Sequence, residues 1–196
     1  MYAAHERNDG RNSQGRANTT CIRLDYPDMR QLDFKYVETH APYLVTMRTE
    51  QVYYFKTDVG MLCTITFMDD YSIWETGAYQ FVINNENHVS SPLDPKLRDT
   101  IFTLIDAFFA ANPDILLYIC ETGDGKQEFR SRLFVRWFNT YSGNDAYVME
   151  TAEVNECKTK NFAALIVQKT NPRINEIIAE FDETIRILTS KPQEQN

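Results

Sequence analysis

Between residues 34 and 84 the large apolar side chains fall into short runs, "FKYVE", "YLVTMRT", "VYYFKT", "MLCTITFM" and "AYQFVIN", each closed by polar or turn-forming residues. Short β-branched and aromatic runs with that punctuation predict strands. In "TDVG" Gly60 stands where a tight turn needs a left-handed residue, so residues 54–56 and 62–64 are expected to pair as a hairpin. Strands joined this way build an antiparallel meander.

The period then lengthens. Asp94-Pro95 reads as a helix cap and first-turn proline, and Leu97, Ile101, Leu104, Ile105, Phe108 and Phe109 recur at helical spacing until Asn112-Pro113. "ILLYIC", residues 115–120, is apolar at every position, which suits a strand covered on both faces. A turn and a second helix follow, and "AYVMETAEV" with "FAALIVQKT" predicts a further strand pair. Asn171-Pro172 opens a last helix, with Ile174, Ile177, Ile178, Phe181, Ile185 and Leu188 on one side and Glu176, Glu180 and Glu183 on the other.

Strands in a block, then helices interleaved with strands, define an α+β class. The expected architecture is an antiparallel or mixed sheet, begun by the meander, with about three helices packed mainly on one face. Residues 1–30, rich in Asn, Gly, Ser, Gln and Arg, read as a flexible polar tail because they offer little apolar surface to offset ordering entropy. Residues 31–190 read as one domain, and 191–196 as a frayed end.

Charge narrows the partners. The formal net charge is −8, and since residues 1–20 carry +1, the remainder carries −9. Such a surface repels phosphate backbones and anionic lipid, so neither nucleic acid nor a membrane is an expected partner. Cys21, Cys63, Cys120 and Cys157 lie far apart without a CxxC or Cys/His cluster, so free thiols in a reducing cytoplasm are expected, with no metal and no cofactor. No apolar run reaches the length of a membrane span, and "MYAAHERNDGRNSQGRANTT" lacks the apolar stretch of a secretory signal.

The stretch with candidate chemistry is "YICETGDGKQEFRSRLFVRWF", residues 118–138. At about 100° per residue, Phe129, Leu133, Phe134, Trp137, Phe138 and Tyr141 fall within roughly a third of a turn of Arg130, which places a cation on an aromatic face. A buried guanidinium needs carboxylates or carbonyls beneath it, or a cleft beside it. Lys126 and Gln127 lie near the same side, so a polar patch is expected where the strand ends and the helix begins, a common place for ligands. The candidate ligand-binding residues are Cys120, Glu121, Asp124, Lys126, Gln127 and Arg130.

Three known chemistries fit this turn poorly. Gly125-Lys126 resembles the end of a P-loop, but Cys120 and Gln127 occupy its glycine and Ser/Thr positions. Cys120 and Lys126 are spaced as in a cysteine-phosphatase loop, with lysine in place of arginine and two acids in the loop. Glu121 and Asp124 lack a third acid for magnesium. The plainer reading has Asp124 capping the helix, Gly123 and Gly125 making the turn, Cys120 as a small buried hydrophobe, and Arg130 and Trp137 as structural residues tying helix to sheet. His40, His88, Ser90 and Ser91 read as solvated loop residues.

The segments "TDVGMLCTITF", "DPKLRDTIFTLIDAFF", "ILLYICETGDGKQEFRSRLFVRWF" and "TNPRINEIIAEF" resemble a family of small bacterial proteins known as a domain of unknown function. Its members show a Tyr-Ile-Cys-Asp strand end, an Asp-x-Arg-Gln turn and an Arg-x-Arg-Leu-Phe-x-x-Trp-Phe helix. The likeness runs over about residues 34–182, departing at Glu121, where the family tends to Asp, and at Lys126, where it tends to Arg. It implies a domain and directs interest to residues 120–138 without implying a reaction. Lacking a complete catalytic set, the chain reads as a non-enzymatic cytoplasmic binding module for a protein partner or an unknown ligand, with a homodimer possible. The alternative is a small enzyme or sensor holding a phosphorylated or carboxylated molecule at residues 120–130, with Lys126 and Arg130 as anion contacts.

Overall fold

The computed structural model describes residues 29–74, 77–90, 93–120, 125–156 and 159–190. The predicted tail to residue 28, the end from 191, and Cys21 and Cys157 lie outside the described residues.

The class is α+β, as the pattern predicts, around a seven-stranded mixed sheet with the order β1-β2-β3-β4-β5-β7-β6. The meander comprises β1 (Thr46–Thr49), β2 (Val52–Lys56), β3 (Leu62–Asp70) and β4 (Ala78–Asn85), each antiparallel to the next. Gly60 sits in the β2–β3 turn at φ +85°, the left-handed region that favours glycine. Helix α2 (Pro95–Ala111) carries the chain across to β5 (Leu116–Ile119), which lies parallel to β4 and makes the sheet mixed. Helix α3 (Gln127–Thr140) and a short 3-10 turn, Asn144–Ala146, lead to the long hairpin of β6 (Tyr147–Glu156) and β7 (Thr159–Gln168). Helix α4 (Ile174–Ser190) ends the described chain.

One element departs from expectation. "FKYVE" forms no strand but lies in helix α1 (Phe34–His40), because the Asp33 side chain accepts the Tyr36 N–H at 3.2 Å and caps a first turn. Four α-helices are therefore described where about three were expected. Three of them serve one face: the main core joins Val37, Phe102, Phe108, Phe134 and Phe138 to Ile65, Phe67, Phe81 and Tyr118 of the sheet. α4 alone covers the other face, where Ile177 and Phe181 pack with Trp74, Leu117, Leu165 and Val167.

α2 explains the lopsided packing. Residues Thr100–Ile105 and Ala107–Phe109 are all buried, so this helix is enclosed rather than amphipathic. Phe108 stacks on Phe67 of the sheet at 4.9 Å, while Phe102 on the same helix meets Phe134 of α3 at 5.9 Å and Tyr141 at 4.7 Å. α2 thus carries α3 on its flank, and α3 in turn walls the β6–β7 side of the sheet.

Candidate functional site

The described candidates lie at the end of β5 and along the first turn of α3. Tyr118 and Cys120 alternate with Ile119 along the strand and point to the α3 side, where the Tyr118 ring stacks on Phe134 at 4.1 Å. The Tyr118 hydroxyl donates to the Cys120 sulfur, and the Cys120 N–H donates to the Phe162 carbonyl at 3.0 Å. Cys120 is 2% exposed, and burial pushes its thiol up despite the opposing effects of the Tyr118 hydroxyl and the Arg130 charge. A thiol held protonated in this way is a poor nucleophile, which disfavours phosphatase chemistry. Burial likewise raises the Tyr118 phenol, with the Arg130 charge acting the other way.

Arg130 is half-buried and lies at the margin of the aromatic face rather than at its middle. The face is centred on Phe134 and Phe138, which places its midpoint about 60° from Arg130, and Phe129 falls on the far side with 62% exposure. Trp137 is half-buried and packs against the main core. Lys126 stands at the N-cap of α3 without a side-chain cap bond, and Gly125 before it adopts φ +69° in open space, so glycine is needed there for conformation and not for room. Gln127 follows, half-buried, with its Oε1 buried and without a hydrogen-bond partner among the described residues. The remaining candidates, Glu121 and Asp124, and with them the predicted Asp124 cap, lie outside the described residues. Among the described residues no three His, Cys, Asp or Glu side chains cluster to hold a metal ion. His40 and His88 are exposed; His88 takes φ 55° in the turn after β4, and His40 stacks on Tyr36 at 4.1 Å.

Two features escaped the sequence reading. At the far end of α3, Asp106 of α2 accepts hydrogen bonds from the Tyr141 hydroxyl and, at 2.7 Å, from the Tyr147 hydroxyl, clamping the end of α3 and the start of β6 to the enclosed helix. Burial, and then the bond and charge of Asp106, raise both phenols. The other feature is a groove of about 590 Å³ between α3 and the sheet. Arg132, Arg136 and Asn139 form its helix wall, Thr151 and Glu153 its strand wall, and Phe162 its floor.

The strand wall is β6, and β6 is an edge. Its pairing with β7 is regular over ten residues, Tyr147↔Gln168 through Glu156↔Thr159, and no described strand lies beyond it. Lys169 N–H donates to the Ala146 carbonyl at 2.9 Å, so in the alternation of an antiparallel ladder Val148, Glu150 and Ala152 bond inward to β7. The amides and carbonyls of Met149, Thr151 and Glu153 therefore point outward from the sheet, while the outward Tyr147 N–H is taken by the Asn144 carbonyl of the 3-10 turn. The same residues direct their side chains to the α3 face, since Tyr147 and Met149 belong to the main core, while Val148 and Ala152 pack toward α4. A period-two run of this length was visible in the sequence; that it would end the sheet was not, because strand order depends on the α2 crossover.

The fold and the site together define an α+β protein in which β6, the last of the described strands, borders a groove. Residues 93–183 match the model of a family of unknown function, DUF6169. The match begins at α2, not at residue 34, and takes in β5, α3, β6, β7 and the first half of α4, the part that carries the groove. No curated protein and no solved structure matches the chain. No described helix is long and apolar enough to cross a membrane.

Proposed function

We propose that this protein is a binding module that takes an extended segment of a partner protein onto the free edge of β6. One observation carries the reading: three alternate outward-facing residues, Met149, Thr151 and Glu153, offer backbone donors and acceptors alongside a groove. Such an edge is a template for an added strand, with the main chain supplying affinity and the flanking groove specificity. The buried, protonated thiol of Cys120 supports binding over catalysis at the neighbouring junction. The free thiols of Cys63 and Cys120 support a cytoplasmic setting.

The test uses two adjacent prolines and a displayed library of ten-residue peptides selected on the wild-type protein. Thr151→Pro removes an N–H that points outward and is expected to abolish capture while leaving the melting temperature nearly unchanged. Ala152→Pro removes a ladder bond to β7 and is expected to lower the melting temperature clearly. Selected peptides that bind Thr151→Pro as well as wild type would rule out strand addition.

A second reading is favoured by the Arg130 charge acting on Cys120 and Tyr118 at the end of β5. It places a small phosphorylated or carboxylated molecule there, with Lys126 as a second cation. Thermal melting with inorganic phosphate and citrate tests it, since a ligand specific to the folded state raises the midpoint by mass action; a flat response removes it.

A further inference from the structure

Resting on the strand-addition reading, we infer that the segment taken by β6 alternates acidic with apolar side chains, its acids directed to Arg132 and Arg136 of α3. Two observations carry this. The chain has a formal net charge of −8, yet the groove wall along α3 is cationic. Arg132 keeps a 73% exposed side chain and meets Glu128 only at 3.6 Å, while Arg136 is exposed one turn further along. The acid on the facing wall, Glu153, is already engaged by Lys160 at 2.8 Å, so its charge is offset where an incoming carboxylate would approach.

The pleat supplies the rest. Side chains of an added strand on the groove side face Thr151, Glu153 and the two arginines, spaced four residues apart on one face of α3. Those on the opposite side lie beside Val148, Glu150, Ala152 and Val154, a half-buried and largely apolar row on the α4 side. An occupant matching both rows alternates carboxylates with Val, Ile or Thr. A second copy of β6 offers the groove Met149, Thr151 and Glu153, one acid against two guanidiniums, and brings Glu150 of each copy into the same interface. The chemistry thus favours a partner segment over self-pairing.

The experiment titrates the whole protein with two fluorescent ten-residue peptides, one alternating Glu with Val and Thr, the other Lys in place of Glu. Anisotropy and amide hydrogen exchange are followed together. The acidic peptide is expected to bind the tighter and to slow exchange at Met149, Thr151 and Glu153 selectively. Raising salt from about 0.05 to about 0.5 M is expected to weaken its binding. Arg132→Glu with Arg136→Glu, both surface positions, is expected to weaken it by about tenfold or more. Equal or tighter binding of the lysine peptide with the same amides protected overturns the acidic preference and leaves strand addition standing. No protection of those amides by either peptide overturns both. Protection without peptide, in a protein that sediments as a dimer, overturns the inference in favour of a second copy.

Discussion

β1 and β6 both end the sheet, yet they are built in opposite ways. β1 has four residues, three of them exposed, and its register with β2 shifts between Met47 and Thr49. Arg48 stands over the Tyr54 ring at 4.6 Å and meets Glu86 at 3.1 Å, putting a charge on the edge. Shortness, a bulge and an edge charge are the usual devices that prevent a strand from pairing further. β6 has ten residues in unbroken register, about 33 Å of ladder, and is overlooked by α3 on one face and α4 on the other. The difference teaches that blocking an edge was within reach of this sequence, since it was done at β1. A long and regular β6, although Glu150 and Glu153 put charge on it, fits the strand-addition reading.

The largest effect is expected where the β6 side is braced. Asp106→Ala leaves the Tyr141 and Tyr147 hydroxyls without their acceptor and is expected to cost about 2–4 kcal/mol in urea unfolding. Tyr147→Phe, which removes donor and demand together, costs roughly 1 kcal/mol. In Asp106→Ala, hydrogen exchange is expected to rise along α3 and the start of β6 while β1 and β2 keep wild-type rates. A uniform rise across both edges would mean that the clamp supports the whole core and sets no edge apart.

Alkali acts on the same brace and on β3. Burial pushes the Cys63 thiol up to about 12 from an ordinary 9.0, and burial with Asp106 holds Tyr141 and Tyr147 above their ordinary 10.0. The folded protein keeps protons that the unfolded chain releases, so this stabilisation is whole below about pH 9 and is lost as pH rises toward the folded values. The urea midpoint is expected to fall from about pH 9 upward, Cys63→Ala flattening the first part of the fall and Tyr147→Phe the part above about pH 10. A midpoint constant to pH 11 would contradict the assigned burial of these groups.

How much of this was legible in the sequence varied with the range of the cause. Local signals served well: Gly60 in its turn, Asp94 accepting the Leu97 N–H at 3.1 Å to start α2, and the alternation of β6 and β7 were each readable from a few residues. α1 was misread because Phe34 and Tyr36 alternate as a strand would, and the Asp33 cap was overlooked. Arg130 was placed mid-face because every aromatic was counted as inward, whereas the packing of Phe102 against Phe134 and Phe138 turns the helix so that Phe129 faces out. The groove and the clamp were illegible for a different reason. Asp106, Tyr141 and Tyr147 are separated by up to 41 residues, and only the crossover of α2 brings them into contact.

The smallest expected effect tests whether the two edges differ by geometry or by charge. Arg48→Ala removes an edge cation whose side chain is about half exposed, so its ion pair and ring contact together account for under about 1 kcal/mol. If the bulge and the four-residue length close β1, this variant remains a monomer, and the alternating acidic peptide leaves the amides of residues 46–49 exchanging as before. If the charge alone closes β1, the variant begins to protect those amides or to self-associate, and the contrast with β6 reduces to a single arginine. Geometry is the stronger device here, because the register shift between Met47 and Thr49 breaks the two-residue repeat that any added strand must follow, whatever side chain stands at 48.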